Sequence, residues 1–339
     1  MKVDLPGAWR RIGGGIPNLL RVPSTPTSYA SWPVWIACLA STVFAVLVTI
    51  STGVDIAWPG FVRPAGVTLG LVAIYAAIRL RGRTPELETA PGALAAICWS
   101  GLMGLVATHA GLRADNALID DALARSDSML GFSAPWLVGA VSGHAQVVEL
   151  LNFVYHTTLL AVWVTAIALS FGKYRQRSWD LAFSFAFGAT VCGMIAVLYP
   201  AEGTFAHFHI AADVVAGLPK GAGTYYLPVF EALRAGTATT IDFAKLTGVV
   251  TFPSFHGATA VMTAFALRDV RWLAPFAWIW CVLVNISAVP MGGHYGVDLV
   301  VGDLLWALSA WIMWTVTRRT GQRGVAPAQS GATVTNAFT

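Results

Sequence analysis

Long apolar runs alternate along the chain with short polar connections. Runs close to the ~20 residues a helix needs to cross a hydrocarbon core of about 30 Å lie at 34–52, 61–80, 92–112, 149–171, 179–200, 254–270, 272–291 and 296–317. The pattern predicts eight transmembrane helices with both chain ends on one side. Because a lipid-exposed backbone must satisfy its own hydrogen bonds, and helices do so within each segment, the expected fold class is an all-α polytopic membrane bundle.

Three stretches between the runs carry structure of their own. From Arg113 to Ser133, Leu118, Ile119, Ala122, Leu123, Met129 and Leu130 interleave with Asp115, Asp120, Asp121 and Asp127, which predicts an amphipathic helix lying on the outer surface. Residues 134–146 are apolar but too short to span, and read as a re-entrant or surface helix. The stretch Ala201 to Thr251 holds Glu202, His207, His209, Asp213, Lys220, Glu231, Arg234, Asp242 and Lys245, and connections of this length are usually functional or disordered. It runs directly into Pro253-Ser254-Phe255-His256 and reads as a cap over a site. The domain plan is then a cytoplasmic arm at 1–33, two accessory spans at 34–90, a catalytic membrane domain at 91–317 with its cap at 201–253, and a disordered cytoplasmic tail at 318–339.

Composition agrees with the span pattern and excludes a soluble globular domain: 56% hydrophobic, 11% charged, mean hydropathy +0.65. With the N-terminus cytoplasmic, 15 of the 21 Lys and Arg residues fall in cytoplasmic segments, and only Arg63, Arg113, Arg125, Lys220, Arg234 and Lys245 fall opposite. The positive-inside rule therefore places both chain ends in the cytoplasm and the cap on the periplasmic or lumenal face. The net charge of +4 reflects this topology and implies no nucleic-acid partner. Cys38, Cys98, Cys192 and Cys281 all lie inside apolar runs and read as small buried hydrophobes, not as a disulfide or a metal cage. The first run lacks a clear cleavage site and reads as a retained span.

The chemistry concentrates in two polar stretches, Pro253 to His256 and Gly292 to Asp298, each followed by an apolar run. Two spans separate the histidines, so His256 and His294 return to one membrane face. His294 and Asp298 are four apart and share a helix face. A carboxylate there accepts the proton of one ring nitrogen and leaves the other basic, which is the arrangement of an activated histidine nucleophile. Gly292 and Gly293 permit close approach of a bulky group. Pro253 suits a helix start, where free N–H groups and the helix dipole favour an anion, and Ser254 adds a hydroxyl. His256 is placed to protonate a leaving oxygen. The other polar residues carry less. His109, His144 and His156 read as locally bonded side chains. Glu149 with Asn152 fits an interhelical hydrogen bond as well as a function, and His207 with His209 fits a solvated loop.

These residues resemble the type 2 phosphatidic acid phosphatase superfamily. Pro253-Ser254-Phe255-His256 is similar to its Pro-Ser-x-His signature, and His294 to Asp298 to its His-x-x-x-Asp core. Phe252 to His256 and the His294, Tyr295, Asp298 set most resemble the branch of inositol phosphorylceramide synthases. The stretch containing Asp121, Asp127 and Leu130-Gly131-Phe132 is weakly similar to a segment upstream in that branch. The resemblance implies a six-helix core, a phosphohistidine formed on His294, His256 as acid, and no metal or other cofactor. Two features depart from the superfamily: the lysine and Arg-Pro of its first signature have no counterpart, and Ala288 stands where an arginine is expected. Charge on a transferring phosphate must be offset, so Lys245, Arg234 and Lys220 of the cap are expected to hold it, with Ser254, Gly293 and Tyr295.

The reading is an integral membrane enzyme that moves a phosphoryl-containing headgroup from a phospholipid, polyprenyl or sphingolipid substrate to an alcohol. The alternative is a plain lipid phosphatase acting on phosphatidic acid or polyprenyl pyrophosphate. A transporter is the rival outside enzymes, but it would place polar groups near the midplane of repeated, broken helices; here they cluster at helix ends and no repeat is visible.

Overall fold

The computed structural model describes residues 31–82, 85–243 and 246–323. In chain order the elements are α1 (Trp32–Thr52), β1 (Asp55–Ile56), α2 (Trp58–Leu80), α3 (Pro85–Leu112), α4 (Asp120–Met129), α5 (Ala134–Ser142), α6 (Ala145–Ser170), α7 (Arg175–Leu198), α8 (Thr204–His207), α9 (Ala212–Ala216), α10 (Leu227–Arg234), β2 (Thr240–Ile241), α11 (Phe255–Ala266), α12 (Ala274–Gly292) and α13 (Gly296–Arg323). Among the described residues, seven helices are long and apolar enough to cross a membrane: α1, α2, α3, α6, α7, α12 and α13. The protein is an all-α polytopic bundle and an integral membrane protein. Residues 1–30 of the N-terminal arm, 324–339 of the tail, and Lys245 lie outside the described residues.

Local chemistry sets the helix ends. Proline occupies the first turn of α1, α2, α5, α10 and α12, where its missing N–H is harmless. Ser133 and Ser254 cap α5 and α11 by accepting from Trp136 N–H and Gly257 N–H. Large apolar side chains stay exposed along the outer faces, as at Leu39, Leu47 and Ile50 of α1, Leu69 of α2, and Phe276 and Ile279 of α12. In lipid these faces are solvated by acyl chains, so helix association relies on close packing and polar contacts. Ser41 and Thr190 hydroxyls meet at 2.5 Å, Trp99 Nε1 donates to Thr42 at 2.8 Å, and Ser309 donates to Ser184 at 2.9 Å.

The connections sort into two ends. At one, β1 pairs in parallel with β2, Ile119 N–H donates to Pro200, and Gly223 N–H donates to Met291. At the other, Tyr174 hydroxyl donates to Asp269 carbonyl and Arg177 pairs with the Asp269 carboxylate. The direction of each helix then places Arg79, Arg81, Lys173, Arg175, Arg177, Arg268 and Arg271 at this second end. The cap lies at the first.

Two sequence expectations need correction. The run at 254–270 forms only the 12-residue α11 followed by turns, about 18 Å at 1.5 Å per residue and too short to cross a membrane alone. The reason is that α11 starts inside the bundle. Its His256 stacks on Tyr155, ten residues into α6, and the Phe255 ring meets Phe185, thirteen residues before the end of α7. These offsets sink the start of α11 roughly 15–20 Å below the ends of those helices, with the cap built above. α11 still runs between the two ends, because Arg177 near the start of α7 donates to Ala266 carbonyl at its finish. The second correction concerns 113–133. Only Asp120–Met129 is helical, and Asp120 and Asp127 are buried instead of facing solvent.

Lys220 and Lys173 are both exposed, one in the cap and one between α6 and α7. Single cysteines at these positions, in a background lacking the four native cysteines, should react with impermeant thiol reagent from opposite sides of the membrane. Labelling of both from one side contradicts the arrangement of the ends.

Candidate active site

The site is built on the short link between α12 and α13. Gly293 ends α12 in the left-handed region at φ +75°, where a side chain would be strained, and the chain turns through His294 and Tyr295 before α13 begins. Three carboxylates hold this link, two by its backbone and one by the Tyr295 hydroxyl. Asp127 accepts from Gly296 N–H at 2.9 Å and Val297 N–H at 2.8 Å, at the positive end of α13. Asp298 accepts from Tyr295 N–H at 2.9 Å. Asp120 takes Tyr295 hydroxyl at 2.8 Å together with the N–H groups of Glu202 and Gly203 at 3.0 and 2.9 Å, which ties the link to the start of the cap. Burial pushes the Asp127 carboxyl above its usual range, and the two N–H donors oppose that shift.

Ser254, at the cap of α11, is brought to the link by its own N–H, which donates to Asp298 carbonyl at 3.0 Å. The two helices touch there backbone to backbone, since a Cβ on Gly302 would lie 2.2 Å from the Ser254 carbonyl oxygen. With Gly257 N–H taken by the Ser254 cap, the start of α11 presents the N–H groups of Phe255 and His256, which a helix leaves unpaired by position.

These constraints set the state of His294. Its Nδ1 lies 2.7 Å from the Thr251 carbonyl and 3.3 Å from Asp298 Oδ2. A carbonyl only accepts, so Nδ1 carries the proton and Nε2 bears the lone pair. Nε2 faces Ser254 Oγ at 3.4 Å. His256 lies across the site, its ring centroid 6.2 Å from that of His294, with Tyr155 stacked on it at 4.3 Å. His294 is 2% exposed and Asp298 0%.

A family model of the PAP2 superfamily matches residues 121–312. The chain belongs to the type 2 phosphatidic acid phosphatase (PAP2) superfamily. Searches of the curated proteins and of the solved structures gave no significant match. The matched region runs from α4 into α13 and takes in Ser254, His256, His294 and Asp298, while α1 and α2 lie outside it. Membership makes the protein an enzyme of the phosphatase or phosphotransferase type, with a substrate class suited to a bilayer.

Of the residues expected from sequence, the structure brings Ser254, His256, His294 and Asp298 together. The others are placed as follows. Gly293 contributes its carbonyl to Thr204 N–H of the cap at 2.9 Å. Tyr295 is fully buried with its hydroxyl on Asp120. The Arg234 guanidinium binds Asp115 at 2.8 Å and Asn116 carbonyl at 2.9 Å, beyond the end of α3. Lys220 is exposed. Arg113 lies against Gly236, two residues beyond Arg234, since its Nη1 would be 2.6 Å from a Cβ there. His144, Glu149 and His156 are exposed, and His109 is buried with Nδ1 on Leu105 carbonyl at 2.8 Å. Among the described residues no three His, Cys, Asp or Glu side chains are grouped to hold a metal ion.

Sequence reasoning missed Asp120, Thr251, Tyr155 and Tyr225 as parts of the site. Thr251 acts through a backbone carbonyl, which leaves no mark in the sequence. Asp120 did leave one, as a carboxylate in an amphipathic stretch with no basic partner at helical spacing. Replacing Asp127 by Ala should lower stability in detergent by about 2–3 kcal/mol, because two buried N–H groups lose their acceptor. Thermal unfolding within error of the parent would contradict this capping role.

Proposed function

We propose that the protein transfers a phosphoryl-containing headgroup between lipids through a phosphohistidine at Nε2 of His294. The observation that carries this reading is the fixed tautomer: Nδ1 is held by Thr251 carbonyl and Asp298, so the basic nitrogen is the one facing Ser254 and the start of α11. In the first step the Nε2 lone pair attacks phosphorus, the bond from phosphorus to the leaving oxygen breaks, and His256 gives that oxygen a proton. In the second, an acceptor hydroxyl attacks phosphorus, its proton passes to His256, and the bond from phosphorus to Nε2 breaks. Asp298 and Thr251 carbonyl stabilise the imidazolium character that develops at His294. Ser254 hydroxyl and the N–H groups of Phe255 and His256 face the phosphate oxygens, and the cap cations Lys220 and Lys245 supply longer-range positive charge.

Burial of the site favours transfer over hydrolysis. His294 and Asp298 are almost wholly removed from solvent beneath the cap, a setting in which an acceptor delivered from the bilayer competes well with water. Similarity of Phe252 to His256 and of His294, Tyr295 and Asp298 to the inositol phosphorylceramide synthase branch supports the same choice and a sphingolipid or other lipid alcohol as acceptor. The excess of Lys and Arg at the end opposite the cap supports an active site on the periplasmic or lumenal side.

Purified protein should move label from a phosphoinositol lipid donor to added ceramide or diacylglycerol. Release of inorganic phosphate from labelled phosphatidic acid, without transfer to any acceptor, would instead establish the plain phosphatase. His294→Ala should abolish either reaction, and near-normal turnover in that variant would rule out the covalent mechanism. Asp298→Asn should cost on the order of 10²-fold in kcat, less than the roughly 10⁴-fold of a serine protease triad, because Thr251 carbonyl still fixes the tautomer. A loss of 10⁴-fold would show that the carboxylate alone orients the ring.

A further inference from the structure

The superfamily resemblance leads one to expect arginine and lysine around the phosphate, and the structure places hydroxyl groups beside the histidines. Tyr155 of α6 is 4% exposed and lies against His256, with His294 close by. Its ring stacks on His256 with an interplanar angle of 19°. Its hydroxyl and the edge of His294 border the same glycine, since a Cβ on Gly292 would lie 2.8 Å from Tyr155 Oη and 2.9 Å from His294 Cδ2. The two groups are therefore within about 6 Å of each other across a residue without a side chain. Tyr225, from the cap between α9 and α10, brings its hydroxyl 3.0 Å from that of Tyr155.

Two phenols hold two O–H protons, and their mutual bond uses one. The second is given no acceptor among the described residues and stays available to a ligand oxygen. We propose that the Tyr155–Tyr225 hydroxyl pair is an oxyanion-binding element that donates this proton to a non-bridging oxygen of the phosphoryl group carried on His294. The proposal rests on the phosphohistidine reading above. It makes one hydrogen bond and breaks no covalent bond. It also narrows the donor substrate: apart from the proton that His256 carries as acid, Ser254 and the tyrosine pair are neutral donors, a set suited to the single negative charge of a phosphodiester headgroup more than to a dianionic monoester. Because Tyr225 belongs to the cap and Tyr155 to the membrane core, the element is complete only with the cap seated, which couples phosphate binding to closure.

The test uses orthovanadate, which takes up the geometry of a phosphoryl group in transit, with binding followed calorimetrically on the purified full chain. Wild-type protein should bind it and His294→Ala should not. Tyr155→Phe keeps the stacking ring and should weaken binding about 10²-fold with the thermal midpoint unchanged. Tyr225→Phe should weaken it in the same direction, which keeps the proposal testable if the Tyr155 variant does not fold. Replacing Tyr155 by 3,5-difluorotyrosine should restore affinity and move the basic limb of the binding pH profile to lower pH, a shift that a purely structural ring would not produce. Wild-type affinity in both phenylalanine variants, with binding lost in His294→Ala, overturns the proposal and leaves the phosphohistidine intact. Vanadate binding that survives in His294→Ala contradicts the phosphohistidine itself and the proposal with it.

Discussion

The hydrogen bond from His294 Nδ1 to the Thr251 carbonyl, at 2.7 Å, is the constraint on which the rest of the site depends. It joins the link after α12 to the last residues of the cap, and it decides which ring nitrogen is basic. Asp298, at 3.3 Å from the same nitrogen, adds charge but makes a shorter bond to Tyr295 N–H. Its main geometric effect is thus on the backbone that carries the histidine. Asp127 serves the same backbone through Gly296 and Val297 N–H, and Asp120 holds the Tyr295 hydroxyl. The protein orients one imidazole largely by fixing the chain on either side of it.

The depth of the site follows from the short α11. A helix that began level with α6 and α7 would put His256 at the surface of the bundle, whereas this one begins beside Tyr155 and Phe185, within it. The space above is filled by the cap, whose Gly223 and Thr204 N–H groups bond to Met291 and Gly293 carbonyls. Those contacts exclude water, which strengthens each electrostatic contact inside. They also stand between the site and any large substrate, so the cap has to yield for a headgroup to enter. Burial raises the Tyr225 and Tyr226 hydroxyls above the usual tyrosine range, so both remain protonated donors at neutral pH; Tyr226 gives its proton to Glu202 carbonyl at 2.7 Å.

Much of this was legible in the sequence, and the parts that were not share a cause. Apolar run length identified the spans, because a membrane imposes length on any helix that crosses it. It misjudged α11 because the run at 254–270 is apolar for burial inside the bundle, and burial and lipid exposure select the same residue types. The grouping of Ser254, His256, His294 and Asp298 followed from spacing and from the even number of crossings between the two histidines. Helical spacing carries no information across elements, so Tyr155 and Tyr225 were invisible as partners, and Arg234 was expected near the phosphate when its guanidinium binds Asp115. Asp120 and Asp127 were read as a solvated face because an acidic residue in an amphipathic pattern is usually one, and their true partners are distant backbone N–H groups and, for Asp120, the Tyr295 hydroxyl, which helical spacing does not reveal.

The central claim is that Nε2 of His294 carries the phosphoryl group. The most direct measurement is phosphorus NMR of enzyme denatured in alkali during turnover, conditions under which phosphohistidine survives, combined with peptide mass spectrometry to locate the phosphate. The account predicts the Nε2-phosphorylated isomer on His294. The Nδ1 isomer, or phosphate on Ser254 in its place, would contradict it.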